Sequence, residues 1–293
     1  MKKTIVTIGM FDGVHRGHRH ILEQLRSEAD TRGLEAIVYT FDRHPQQVLR
    51  GTDVVSLLTS HEERIQRIRQ AGNFTIVELP FNQTMAALSA CEFYDRVLAA
   101  DDAPAALLMG YDNVFGNRER DDFALLRQRL SADGVTLIDV QPLMVDGIAV
   151  SSTRIRKALA AGRVDEAARL LGYPYALTGT VVRGRQLGRT IGVPTANVDI
   201  VGGCKQIPAE GVYAVDAEYQ GQRYRAVANL GPQPTVDGKE CWLEVHLLHH
   251  HGDLYGSQLT ISFIHRLRDI RLFESVNSLR QQIMTDIQQC EAI

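Results

Sequence analysis

At 293 residues the chain is long for one hydrophobic core and points to two domains. Its 44% hydrophobic and 23% charged residues are ordinary for a globular protein, and a formal net charge of -3 gives no general attraction to nucleic acid or an anionic membrane, so any phosphate binding must be local. The four cysteines, Cys91, Cys204, Cys241 and Cys290, lie far apart and form no Cys-x-x-Cys pair, so neither a disulfide framework nor a zinc knuckle is indicated.

Behind Lys2 and Lys3 the first apolar run meets Asp12 too soon for a signal peptide, and no run of about 18 apolar residues follows, so a cytoplasmic protein is expected. That first run, Thr4 to Ile8, enters a turn with glycines at 9, 13 and 17 and leaves into a helix carrying His15 and His18 at its mouth. Bare glycines let backbone approach an anion, a helix N-terminus offers unpaired N–H groups, and two imidazoles can donate to phosphoryl oxygens. A nucleotide triphosphate is the expected guest, with Gly9, Phe11, Asp12 and Gly17 around it. No two glycines lie two positions apart, and the Gly238-Lys239 pair is followed by Glu240, so the dinucleotide fingerprint and Walker A are both excluded.

Strand-like runs follow at Glu35–Thr40, Phe74–Leu79, Ala105–Met109 and Val135–Val140. Helices lie between them, two opening on the capping boxes Ser60 with Glu63 and Ser89 with Glu92. This alternation predicts an α/β domain, a Rossmann-like parallel sheet with ligands beyond the carboxyl ends of its strands. Two further loops belong to the same rim: Gly110 to Gly116, which contains Asp112, and Ser151, Ser152, Thr153, Arg154 and Arg156, which combine hydroxyls, N–H groups and guanidinium donors at a helix start.

Helices over Thr153–Ala161 and Val164–Leu171 lead to Tyr173, Pro174 and Tyr175, where the character changes; the expected domains are 1–174 and 175–293. Short β-rich runs at Leu177–Val182, Val212–Tyr219, Arg223–Asn229, Cys241–Leu248 and Gln258–Phe263 predict a small antiparallel barrel. Val276, Leu279, Ile283 and Ile287 then mark one face of a closing helix. Gly184, Gly188 and Gly192, with Arg189, would let a loop wrap a phosphate chain, while Thr195 and Asn197 supply neutral oxygens for a hydrated Mg²⁺. Alternation puts Trp242, Glu244 and His246 on one strand face, where Glu244 could accept a hydroxyl proton during phosphoryl transfer. His246, His249, His250 and His251 do not read as a zinc site, because side chains on a strand and turn diverge.

Together these motifs resemble those of the bacterial bifunctional riboflavin kinase and FMN adenylyltransferase family over nearly the whole chain. Gly9 to His18 is similar to the Gly-x-Phe-Asp-Gly-x-His-x-Gly-His signature of nucleotidyltransferases, joined by Phe41 to Pro45, Gly110 to Gly116 and Ser151 to Arg156. The kinase part is matched at Gly179 to Asn197, Gly211 to Tyr213, Ala228 to Thr235, Leu243 to Leu248 and Leu254 to Gly256. The resemblance implies synthesis of FMN from riboflavin and ATP, then FAD from FMN and a second ATP. His15, His18 and Arg156 would stabilise charge in the adenylyl transfer; Thr195 and Asn197 would hold Mg²⁺, Glu244 would be the base for the ribityl hydroxyl, and Arg268 with the segment around Phe273 would close over the flavin. The chain departs from the pattern at Val114, where many relatives carry a basic residue, at Arg43, where proline is common, and at Pro232 with Gln233. Small-molecule substrates are the partners expected, with no nucleic acid and no membrane; a homo-oligomer is compatible with the sequence.

Overall fold

The computed structural model describes residues 3–50, 55–110, 115–116, 123–184, 192–200, 204–235 and 238–293. Two compact units divide the chain, Met1–Ser152 and Thr153–Ile293.

In the first unit a parallel sheet is built from β1 (Thr4–Ile8), β2 (Glu35–Phe41), β3 (Thr75–Leu79), β4 (Ala106–Gly110) and β5 (Thr136–Val140), in the order β3-β2-β1-β4-β5. The strands are apolar on both faces because helices cover both. Ile5, Val38, Ala106 and Leu108 pack with Leu22, Leu25 and Ala29 of α1 (Arg16–Arg32) on one side. Val6, Ile8, Leu107 and Met109 pack with Leu126 and Leu130 on the other. Between strands lie α2 (Pro45–Arg50), α3 (His61–Ala71), α4 (Gln83–Ala87), α5 (Ala90–Phe93), which runs into a π-turn over Tyr94–Leu98, and α6 (Phe123–Ala132). Both expected capping boxes form: Ser60 and Glu63 exchange side-chain-to-backbone bonds at the start of α3, and Ser89 and Glu92 do so at α5.

A two-stranded hairpin, β6 (Met144–Val145) and β7 (Ile148–Ala149), escapes the sequence reading. Its turn is Asp146-Gly147, both at positive φ (54° and 73°), the Asp-Gly signal of a tight hairpin.

The second unit begins at Thr153, one residue into α7 (Ser152–Ala160), and continues with α8 (Val164–Leu171). The apolar residues Val164, Ala167, Leu170 and Leu171 of α8 are wholly buried, and the helix packs on β8 and β13. These two helices thus group with the β-rich unit, although the change of sequence character comes later, at Tyr173 to Tyr175. Six antiparallel strands close a barrel: β8 (Tyr175–Val182), β9 (Ala196–Ile200), β10 (Gly211–Tyr219), β11 (Gln222–Thr235), β12 (Gly238–Leu247) and β13 (Gln258–Arg268), in the cyclic order β10-β11-β12-β9-β8-β13. Strand β9 is a finding the sequence reading lacked, since Pro194 to Asn197 reads as loop; pairing with β8 and β12 makes it a strand. Leu177, Tyr213, Val215, Leu243, Val245, Ile261 and Phe263 are wholly buried, and the rings of Tyr213 and Phe263 meet edge to face. The closing helix α9 (Val276–Glu291) covers Val212, Ala214 and Val227 on the opposite face of β10 and β11, through Ile287 and Cys290.

Candidate active sites

In the first unit, the strand order reverses between β1 and β4, and the crevice beyond the carboxyl ends of such neighbours is where α/β sheets bind ligands. The Gly9–His18 turn leaves β1 there, and Gly110 ends β4 beside it. Phe11 (φ 51°), Gly13 (φ 83°) and Val14 (φ 35°) all have left-handed backbone. For a β-branched valine this conformation is strained, and strain held in a buried turn is a mark of functional sites. Gly13 N–H donates to Thr59 Oγ1 at 3.0 Å.

His15 is the N-cap of α1: its Nδ1 accepts from the backbone N–H of His18 at 3.2 Å. With Nδ1 accepting, a neutral His15 ring carries its proton on Nε2. The rings of His15 and His18 stack with centroids 3.6 Å apart and planes 15° apart, and Phe11 meets His18 edge-on at 5.3 Å. Burial, and secondarily the neighbouring His15, hold the His18 imidazole well below the usual histidine range. The buried Nδ1 of His18 makes no hydrogen bond. Gly17 is needed for closeness: a Cβ there would meet the His15 ring at 3.1 Å and the Val150 carbonyl oxygen at 3.2 Å. At Gly9 a Cβ would meet the Phe11 ring at 3.2 Å.

Asp12 is turned into the protein. Its carboxylate accepts from Leu58 N–H at 2.9 Å, Thr59 N–H at 3.1 Å and Thr59 Oγ1 at 3.3 Å, and so ties the turn to the segment before α3. Ser152 Oγ donates to the Asp12 carbonyl at 2.9 Å, which holds Ser152 to the turn. Thr153 is exposed, and Arg154 is 3.6 Å from the carboxylate of Glu166. Arg156 is half-buried, one turn into the same helix.

A residue missed at the sequence level is Arg64 of α3. Buried beside the turn, it donates to Phe41 O at 2.5 Å and to Met10 Sδ at 3.7 Å, and lies 3.1 Å from His61 Nδ1. His61 Nε2 in turn lies 2.7 Å from Glu78. A helical arginine spaced among apolar positions reads as surface, so no sequence signal separates it from its neighbours.

The barrel carries the second constellation. Glu244 of β12 stands directly opposite Asn197 of β9 on one side and Asn229 of β11 on the other. The row continues through Val182 beyond Asn197, and through Val212 to Arg268 beyond Asn229. Trp242 Nε1 donates to Asn197 Oδ1 at 2.5 Å, and a Cβ at Gly184 would sit 2.1 Å from Asn197 Nδ2, so the absence of a side chain at 184 is what admits the amide. Thr195 is half-buried two positions before Asn197. Burial pushes the Glu244 carboxyl above its ordinary range. His246 Nδ1 lies 2.7 Å from the Pro194 carbonyl, and the His250 ring packs edge-on against Tyr219 and Tyr224; the two point to different surroundings.

Arg268 ends β13 and makes a forked bond to Asp286 of α9, while Phe273 lies in cation–π range of both Arg268 and Arg271. Asp112, Val114, Gly188 and Arg189 lie outside the described residues.

A riboflavin kinase family model matches residues 171–293, and an FAD synthetase family model matches residues 1–154. The bifunctional riboflavin kinase/FMN adenylyltransferase of Pseudomonas fluorescens is 39% identical, with 99% of this chain and 92% of that protein covered. Enzymes of the same description from Escherichia coli K12 (37% identical, 96% and 90% covered) and Bacillus subtilis (35% identical, 98% and 91% covered) are similar to it as well. Among solved structures, the macrolide-efflux protein from Streptococcus pneumoniae superposes with a TM-score of 0.90 at 34% identity, covering 99% of this chain and 94% of its own. Among the described residues of this chain, no helix is long and apolar enough to cross a membrane.

Proposed function

This chain belongs to the bifunctional riboflavin kinase/FMN adenylyltransferase family, and we propose from its geometry how its residues divide the two reactions. The enzyme phosphorylates riboflavin to FMN and adenylylates FMN to FAD, with ATP as co-substrate of both. We assign FAD formation to 1–174 and FMN formation to 175–293.

In the kinase reaction the ribityl hydroxyl attacks the γ-phosphorus of ATP and ADP departs. Glu244 takes the hydroxyl proton; its position opposite Asn197 is the observation that carries this assignment. The donor set suits a hydrated Mg²⁺: the Thr195 hydroxyl and the Asn197 amide are neutral hard oxygens, and the missing side chain at Gly184 is what lets the amide take its place. When bound there, the ion would offset charge on the ATP phosphates. Gly184, Gly188 and Arg189 would line the phosphate chain, and Arg268 with Phe273 would meet the flavin.

In the adenylyl transfer an FMN phosphate oxygen attacks the α-phosphorus of ATP and the bond to pyrophosphate breaks. An ionised phosphate needs no strong base, so His15, His18 and Arg156 act by binding the charge that develops. The stacked pair at the mouth of α1 supports this, because its rings are held in place before substrate arrives. Nucleotide binding is assigned to Gly9, Gly17, Ser151, Ser152, Thr153 and Asp112; the buried side chains of Phe11 and Asp12 would serve it by holding the turn. We place the enzyme in the cytoplasm, where riboflavin, FMN and ATP meet, with no nucleic-acid or membrane partner.

The test is product analysis after incubation with riboflavin, ATP and Mg²⁺. Wild type yields FMN and then FAD, His18→Ala accumulates FMN, and Glu244→Gln makes FAD only when FMN is supplied. Loss of both steps in either folded variant would overturn the division.

A further inference from the structure

The segment between β13 and α9 is held by charge from its far side. Asp286 of α9 is only 1% exposed, and its carboxylate accepts from Arg268 Nε at 3.0 and 3.1 Å and from Arg268 Nη2 at 2.8 Å. Gln282, one turn earlier on α9, donates to the same carboxylate at 2.7 Å, and its own carbonyl accepts from Arg271. Arg268 Nη1 donates to the Asp269 carbonyl at 3.0 Å, so all three nitrogens of its guanidinium are engaged and the plane of the group is fixed. Phe273 lies against this frame, 5.7 Å from Arg268 Cζ and 5.3 Å from Arg271 Cζ. Ile270 is laid over β11, its Cδ1 2.5 Å from where a Cβ on Gly231 would stand. Leu272 beside it is fully exposed.

A buried ion pair is weak evidence for stability and better evidence that a geometry is being specified. Here the carboxylate also neutralises Arg268, which suits that residue to carry a ring rather than to clamp a phosphate. We propose that Asp286 is a positioning residue for the kinase reaction: by fixing Arg268 and, through Gln282, Arg271, it presents Phe273 and its neighbours as a preformed cover for a neutral aromatic ring. The inference rests on the reading that Arg268 and Phe273 meet the flavin. A cover ordered in advance costs less to immobilise on binding, so the effect belongs in riboflavin affinity rather than in turnover.

Full-length protein is titrated with riboflavin, followed by flavin fluorescence, and initial rates of FMN formation give KM and kcat. Asp286→Asn keeps the shape and removes the charge; it raises the riboflavin KM and Kd about tenfold and leaves kcat within about threefold, as expected for lost preorganisation. Combined with Arg268→Lys it adds nothing beyond Arg268→Lys alone, because both act through one guanidinium. Gln282→Met, half-buried and safer for folding, moves KM the same way by about threefold, and it decides the matter if Asp286→Asn unfolds. A folded Asp286→Asn or Gln282→Met protein with wild-type riboflavin affinity, or additive effects in the double variant, overturns the inference. If Arg268→Lys and Phe273→Ala themselves leave riboflavin affinity unchanged, the flavin-contact reading has failed and the inference falls with it. Impaired Arg268→Lys beside normal Asp286→Asn removes the inference alone.

Discussion

Glu244 and Asn197 face one another across the β12–β9 pair, so that a carboxylate raised in pKa by burial stands beside a buried amide on the next strand. Directly opposed residues on antiparallel strands have Cα atoms about 4.5–5.5 Å apart, close enough for one phosphoryl group to lie against both.

The pH profile of FMN formation should reflect this burial. As the proposed base Glu244 must be ionised, and its folded-state pKa is raised, so the acid limb of kcat/KM should fall at a higher pH than for an exposed carboxylate. Glu244→Gln should lower kcat by about 10²–10⁴, the range for a lost general base, and abolish that limb. Because ionising a carboxyl with a raised pKa costs folding energy, the variant should also melt no lower than wild type at pH 8. A profile whose acid limb survives in Glu244→Gln would assign the base elsewhere.

Gly184→Ala tests the cradle around Asn197. The new Cβ would meet Asn197 Nδ2 at 2.1 Å, so the amide must shift and its bond from Trp242 must break or bend. A misplacement of about 1 Å can cost about 10² in rate, so FMN formation should drop by that order. The Mg²⁺ concentration for half-maximal rate should rise in parallel. Unchanged Mg²⁺ dependence in a slowed variant would separate Asn197 from the metal.

Binding of ATP at the His15–His18 turn should take up a proton below neutral pH. His18 is held neutral by burial and by His15, whereas a phosphate beside it favours the imidazolium. Its depressed pKa also means that the unfolded chain binds the proton more readily, so this contribution to stability is present above about pH 6.5 and is lost as pH falls. Calorimetry of ATP binding to the Glu244→Gln protein, in buffers of different ionisation enthalpy at pH 6, should give heats that depend on the buffer. His18→Ala should erase the dependence and slow FAD formation by about 10²–10³. Buffer-independent heats in the His18-containing protein would count against protonation on binding.

A fragment spanning Thr153–Ile293 should fold and make FMN from riboflavin but no FAD. It keeps α8, with its four wholly buried apolar residues, and the bond from Ala209 N–H to the Leu159 carbonyl at 2.9 Å. A fragment starting at Leu171 loses both and should melt at lower temperature, since truncating one buried leucine alone costs about 2–5 kcal/mol. Equal melting of the two fragments by circular dichroism would show that α8 contributes little to the barrel.

Much of this was legible in the chain, because period, punctuation and capping chemistry are local. The runs at Thr4–Ile8 and Val135–Val140, the boxes at Ser60 and Ser89, and the step from alternating helices to short strands each follow from a few adjacent residues. The expectation of an anion site at the glycines and histidines of residues 9–18 likewise rests on adjacent residues alone. The sequence could not show that Asp12 spends its carboxylate on Leu58 and Thr59, 46 and 47 positions away, nor that Arg64 is buried beside Met10. Nor could it show that Pro194–Asn197 runs into a strand, or that Asp286 holds Arg268. Those outcomes depend on which buried donor finds which acceptor once the sheet and barrel have closed, and that pairing is decided by register and burial rather than by neighbours in the chain.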